Sequence, residues 1–244
     1  QEDYYTYILA RNDTNKVQAS IQIAPSTAYA INSGTITTNT WYHAVITVSS
    51  TDGFKFYMNN VLQGTESAAT GNLRTMSGKS FIGAYQSADP GTFEYPTDGK
   101  IDQVRIFTKA LSSSEVSTLY AETASTVESL DPLSEDTTDT LQVLGDSSCV
   151  AHYKFENNEN DESGNFNGTG TAIQYAAGRY GQAASFNGSS SNVDIGSFGS
   201  VFQQNFTVSL WFNLNSLSAL NNLFSSQEDY YTYILARNDT NKVQ

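Results

Sequence analysis

Apolar residues fall in short runs along this chain, some alternating with polar residues and some continuous, and clusters of Gly, Asn, Ser and Asp separate them. Alternation of period two predicts β-strands, because successive side chains on a strand point to opposite faces. Strands are predicted at 6–10, 17–24, 27–32, 41–49, 54–58, 61–66, 80–85 and 100–107, then at 150–156, 172–175, 183–187, 192–195, 206–214, 221–225 and 230–236. The run 41–49 is apolar on both faces, as a central strand should be. Asn59-Asn60 stands between two of these runs; asparagine tolerates the positive φ of a two-residue primed turn, so the pair predicts a hairpin. One helix is predicted near 112–121, where Ser112 and Glu115 fit a capping box and Val116, Leu119 and Tyr120 lie at i, i+3 and i+4. The fold class that follows is all-β, a two-sheet antiparallel jelly-roll sandwich with one short helix.

The pattern also repeats. Residues 1–18, QEDYYTYILARNDTNKVQ, recur unchanged at 227–244. Their spacing of 226 residues suits a whole β-sandwich with a linker, so the chain reads as one period of a tandem array opened in mid-domain. The alternative is a copied terminal segment. Residues 121–147 carry Glu122, Glu128, Asp131, Glu135, Asp136, Asp139 and Asp146 with no Lys or Arg, which predicts an extended, solvated linker. Its apolar patch, LQVLG at 141–145, is expected to dock as a short strand. On this reading 1–120 is the C-terminal part of one repeat and 148–244 the N-terminal part of the next. Either part alone would expose open sheet edges and half a core, so the two are expected to contact one another, within the chain or between chains. In a native polymer the following copy is expected to complete each sandwich head to tail, a contact that does not close and therefore builds a fibre.

Charge narrows the partners. Twenty-five acidic against twelve basic residues give a net charge of −13 over 244 residues, which repels phosphate backbones and anionic lipid. Nucleic acid and membrane surfaces are therefore not expected partners, and no run is long enough to predict a membrane-spanning helix. The first residues show no basic n-region or cleavage site, so no signal peptide is expected in them. Cys149 is the single cysteine, which excludes an internal disulfide framework and a cysteine-based zinc site; a buried or linker thiol is expected, with an inter-repeat bridge as the alternative.

Rejoined in the order the repeat implies, the motifs run HYKFENNENDESGNFNGTGT (152–171), AASFNGSSSNVDIG (183–196), FTVSLWFNL (206–214), NTWYHAVITVSSTDGFKFYMNNVLQGT (39–65), FIGAY (81–85) and DGKIDQVRIFTKALSSSEVSTLY (98–120). This series resembles the laminin-G-like, concanavalin-A-like jelly-roll family in its bacterial and viral form, with Asn59-Asn60 where that family usually has Asn-Gly. The resemblance implies a two-sheet sandwich of the kind found in extracellular adhesion, carbohydrate recognition and surface or phage fibres. It names no single ligand, because fold and function separate. The expectation is a non-enzymatic structural or adhesive repeat on a cell or virion surface, with a glycan-binding lectin as first alternative and a polysaccharide hydrolase as second.

Candidate chemistry is sparse. Retaining glycoside hydrolysis needs two carboxylates about 5 Å apart. Glu159, Asp161 and Glu162 are neighbours in a Gly/Asn-rich turn, which does not present side chains with the period of a strand face, so no catalysis is expected there. His43 and His152 are the only histidines and sit in no nucleophile or zinc motif; packed or surface side chains are expected. Asp161, Ser163 and Asn165 form a turn rich in oxygen ligands of the kind Ca²⁺ prefers. By alternation Asp102 shares a face with Val104 and Ile106, and a carboxylate there needs a partner. Calcium would serve for this set, and so would the backbone N–H groups of the 161–165 turn without any ion. Sugar stacking would use exposed aromatics, with Tyr85, Phe93 and Tyr95 as candidates and the pair Tyr4 and Tyr5, repeated as Tyr230 and Tyr231, as another. The same rings would equally cover the core. Asn12, Asn167, Asn187 and Asn205 each open an Asn-X-Ser/Thr glycosylation pattern.

Overall fold

The computed structural model describes residues 6–11, 14–23, 27–71, 78–86, 91–123, 140–199, 201–202 and 204–226. The predicted strand at 230–236 and the tyrosine pairs 4–5 and 230–231 lie outside the described residues. The strands are β1 (Thr6–Arg11), β2 (Lys16–Ile23), β3 (Thr27–Thr35), β4 (Tyr42–Ser49), β5 (Gly53–Met58), β6 (Val61–Glu66), β7 (Ser80–Ile82), β8 (Tyr85–Gln86), β9 (Phe93–Glu94) and β10 (Asp98–Phe107). After the helix α1 (Ser113–Tyr120) come β11 (Cys149–Tyr153), β12 (Thr169–Thr171), β13 (Gln174–Ala177), β14 (Gln182–Asn187), β15 (Asn192–Asp194), β16 (Phe206–Leu214) and β17 (Asn221–Ser226).

Two large sheets result. One runs β12-β15-β7-β17-β1-β2-β3, and the other β13-β14-β10-β16-β4-β5-β6 with β11 added on β10; β8 and β9 make a small ribbon. Pairing is antiparallel throughout. Strands from the two ends of the chain interleave: β17 lies between β7 and β1, and β16 lies between β10 and β4. The described residues of 6–120 and 149–226 thus make one sandwich within a single chain.

Between the sheets, Ile8, Ile21, Ile46, Phe54, Phe56, Ile106, Phe212 and Phe224 are fully buried in one core. β16 is buried at all nine positions. Its Phe206, Val208, Leu210, Phe212 and Leu214 enter that core, and the intervening Thr207, Ser209, Trp211 and Asn213 face the outer side of the sheet. That side is not open to water. Val116 and Leu119 of α1 pack there with Val45, Tyr57, Phe107, Leu111 and Cys149. The helix starts where the capping box predicts, with the Ser112 hydroxyl accepting from the Glu115 N–H and the Glu115 carboxylate accepting from the Ser112 N–H. The predicted hairpin is present as well, with Asn59 and Asn60 at φ 48° and 65°.

Three differences from the sequence pattern have physical causes. The 141–145 patch is not a strand: Thr140–Gln142 is a turn of 3₁₀ helix, and Leu141, Val143 and Leu144 all pack on the outer cluster. A strand would have sent 144 to the opposite face from 141 and 143. The predicted 80–85 strand breaks at Gly83, which takes φ +84° and passes so close to Phe186 that a Cβ would lie 2.0 Å from the ring. Of the predicted 172–175 strand only 174 and 175 are extended, in β13; Ala172 at φ 50° turns the chain there from β12, an edge strand of the other sheet.

Candidate functional site

Strand β10 carries the first candidate residue. Its register against β16 shifts between Asp102 and Arg105, and Gln103 sits there at φ 50°. Such a bulge adds one residue to one strand and resets the alternation. Ile101, Val104 and Ile106 all enter the core as a result. Asp102 lies directly across from Trp211 on the outer face, so it does not share a face with Val104 and Ile106 as simple alternation predicts. Asp102 is wholly buried, and its Oδ2 accepts the backbone N–H groups of Arg179 at 2.8 Å and Tyr180 at 3.1 Å. These donors belong to the loop after β13, not to the 161–165 turn. Gly178 makes the approach possible, since a Cβ there would lie 2.6 Å from Asp102 Oδ2. Burial pushes the Asp102 carboxyl up to about 7, against the pull of its backbone donors.

A sealed polar and aromatic layer surrounds it. Trp211 stacks on His43 at 4.9 Å and on Tyr120 at 5.6 Å, and the Arg179 guanidinium lies 4.5 Å from the Trp211 ring centre. His43 Nε2 is 2.8 Å from Ser209 Oγ, and His152 Nε2 is 2.7 Å from Gln103 Oε1. Both histidines are packed. Burial, aided by Arg105 and Arg179, pushes His43 down to about 3, and burial also holds His152 well below its ordinary value. A serine–histidine contact is half of a nucleophile arrangement. Here His43 Nδ1 has no hydrogen-bond partner to orient it, and both residues are only 1% exposed. Arg105 forms two hydrogen bonds with Glu122, at 2.5 and 3.0 Å, just beyond the end of α1. The Cys149 thiol is buried on the same face, and burial pushes it up to about 12, which leaves it unreactive.

The 161–165 turn is closed on itself. Asp161 is buried; its Oδ1 accepts the His152 N–H at 2.7 Å, and its Oδ2 accepts the Ser163 hydroxyl and the Phe166 N–H. Asn165 contributes its backbone N–H to Ser163 Oγ. Calcium takes about 6–8 oxygen ligands, and both Asp161 oxygens already hold protein hydrogens while Asp102 is held by another loop. Among the described residues no group of three or more His, Cys, Asp or Glu gathers to hold a metal. The melting temperature in excess EDTA should therefore match that in added calcium; a drop in EDTA would show that an ion displaces these hydrogen bonds. The neighbouring carboxylates diverge: Glu159 accepts the Tyr175 hydroxyl, and Glu162 pairs with Lys154 at 3.1 Å.

Of the three aromatic candidates, Tyr85 is buried and stacks on Tyr95 at 6.2 Å, while Phe93 is exposed and meets Phe81 edge-on at 5.3 Å. Tyr85 and Phe93 lie on the β8–β9 ribbon and Tyr95 just after it, but Phe93 packs on a different ring and Tyr85 is buried. Sequence reasoning missed a groove of about 440 Å³ at one end of the sandwich, lined by Asp98, Asn187, Asn215, Gln174, Ser185 and Phe186. Asn215 Nδ2 donates to Asp98 Oδ1 at 3.0 Å across it. Of the four asparagines of the glycosylation pattern, Asn12 lies outside the described residues, and Asn167, Asn187 and Asn205 accept backbone N–H groups of turns through Oδ1.

Residues 1–117 match the laminin G-like model of the concanavalin A-like lectin/glucanases superfamily. The match covers the first 117 of the 244 residues, and the two large antiparallel sheets with one short helix are consistent with a concanavalin A-like jelly-roll sandwich. No curated protein and no solved structure matches the chain. Domains of this family are generally non-catalytic and typically extracellular. No helix among the described residues is long and apolar enough to cross a membrane.

Proposed function

We propose that the chain is a non-enzymatic structural and adhesive unit of a long extracellular or virion-surface fibre, built from tandem laminin-G-like sandwiches whose partners are neighbouring copies. The observation that carries this reading is the agreement between repeat and register. β1 lies antiparallel beside β17, with Thr6 across from Ser226. After Ser226 the sequence needs only residues 227–231 before the β1 sequence begins again at Thr232. In an array each β17 would run through that short connection into the next β1. One bead would then hold 149–226 of one period and 1–120 of the next. Many identical weak sites on one filament give avidity without any strong single site. Sequencing the gene on either side of this segment tests the reading: further copies are expected, and unrelated flanking sequence would overturn it.

A lectin role has one specific observation in its favour, the polar groove edged by Asp98, Asn187 and Asn215. Submillimolar binding of a single domain on a glycan array would favour that reading over a purely structural one, and polysaccharide turnover would point to the hydrolase alternative.

A further inference from the structure

The polar groove at the end of the sandwich holds a carboxylate without a counter-ion. Asp98 is half-buried in its wall, and among the described residues no Lys or Arg pairs with it. Its position is fixed from several sides. Its N–H donates to Asn221 Oδ1 at 2.8 Å, its carbonyl accepts the Asn215 N–H at 2.9 Å, and its Oδ1 accepts Asn215 Nδ2 at 3.0 Å. Gly188, at φ +69°, packs so closely that a Cβ there would lie 3.0 Å from the Asp98 Cβ. Of the two carboxylate oxygens only Oδ1 has a donor among the described residues. Lys100, two residues along β10, does not serve as one: it donates to the Ala177 carbonyl at 3.1 Å, at the opposite end of β13 from Gln174. Ala172 and Ile173 supply an apolar stretch of the same wall.

This wall selects an organic cation. Calcium needs about six oxygen ligands or more, and among the described residues no second Asp, Glu, His or Cys lines the groove. A sugar ring would find few partners. Asn187 Oδ1 already accepts the N–H groups of Ser189, Ser190 and Ser191, its Nδ2 donates to Ser190 Oγ, and the one aromatic lining residue, Phe186, is buried. An alkylammonium fits better, with methylenes along Ala172 and Ile173 and the charge on Asp98 Oδ2. The net charge of −13 draws such a group in. We propose that this groove is a docking site for a lysine side chain of a basic protein partner, with Asp98 as counter-ion and Asn215 positioning it. The inference shares its groove with the lectin reading but not its ligand. A glycan array decides one and an amine titration the other.

The test titrates Nα-acetyl-lysine methylamide into the full chain and follows the amide NMR signals of Asp98, Asn187 and Asn215. Saturable shifts are expected on the parent. Asp98→Asn, which keeps an oxygen for Asn215, should weaken binding about tenfold or more. Gln174→Glu adds a second carboxylate to the wall and should strengthen binding several-fold, so it decides the matter even if the Asp98 variant does not fold. Acetylating the probe's side-chain amine should abolish the shifts. No shift on the parent, equal binding of the norleucine analogue, a Gln174→Glu variant no tighter than the parent, or binding of glucosamine or galactose in place of the lysine probe would overturn the proposal.

Discussion

Replacing Glu122 by alanine should cost about 3–5 kcal/mol and lower the melting temperature by about 10 °C or more. Arg105 and Glu122 are 2% and 5% exposed, so both charges have left water. The guanidinium fork spends two nitrogens on the carboxylate, and Arg105 Nε has no other partner. Burial raises the Glu122 carboxyl above its ordinary value even with Arg105 pulling the other way, which indicates how far the site is desolvated. Alanine would leave a buried cation with nothing to neutralise it. A backbone contact, which alanine keeps, also holds this point of the chain. Glu122 follows the C-cap Ala121, and its carbonyl accepts the Tyr180 hydroxyl, so the residue ties the end of α1 to the loop that holds Asp102. Changing both partners, Arg105→Met with Glu122→Leu, should restore most of the stability because apolar groups of similar volume need no solvation. Denaturant unfolding of the three forms checks this. A Glu122→Ala variant within about 1 kcal/mol of the parent would mean that the pair behaves as a solvated surface bridge.

This layer under α1 was the least legible part of the sequence, and the reason is distance along the chain. Asn59-Asn60 and the Ser112/Glu115 box were readable because each signal lies within four residues of its consequence. The strands of the two halves were readable because alternation is local too. Asp102, by contrast, is held by Arg179 and Tyr180, and His43 by Ser209, contacts that only the folded sheet creates. A single inserted residue at Gln103 was enough to put Asp102 on the wrong face in the period-two reading. The 161–165 turn was recognised as rich in oxygens. Its hydrogen donors, the N–H groups of His152 and Phe166, carry no mark in the sequence, and so both an ion and a self-contained turn stayed open there. The groove beside Asp98 was invisible because it joins 98, 172–174, 185–187 and 215, four separate segments.

Replacing Asp102 by asparagine should leave stability near pH 4 unchanged and raise it by about 4 kcal/mol at pH 8. The carboxyl moves from an ordinary 3.8 to about 7 on folding, chiefly through burial. Between those values the unfolded chain has released the proton and the native protein still holds it. Stability from this group is therefore complete below about 3.8, declines as pH rises through the window, and is gone above about 7. Buried histidine acts in the opposite sense. His43 falls from 6.5 to about 3, so the unfolded chain binds a proton first as pH drops, and stability from this group is full above 6.5 and lost towards 3. His152, also held well below its ordinary value by burial, acts in the same sense as His43, so in the parent the aspartate slope offsets part of the histidine rise over much of the same range. Asparagine resembles the protonated acid in carrying no charge, and its oxygen can accept from Arg179 and Tyr180. With the aspartate slope removed, the two histidine slopes meet less opposition, and the variant should gain stability more steeply than the parent from pH 4 to pH 7. Unfolding free energies at pH 4, 6 and 8 decide it. A variant weaker than the parent at pH 8 would mean that the two backbone donors hold a fully ionised carboxylate at little cost, and that Asp102 stays charged inside the sandwich.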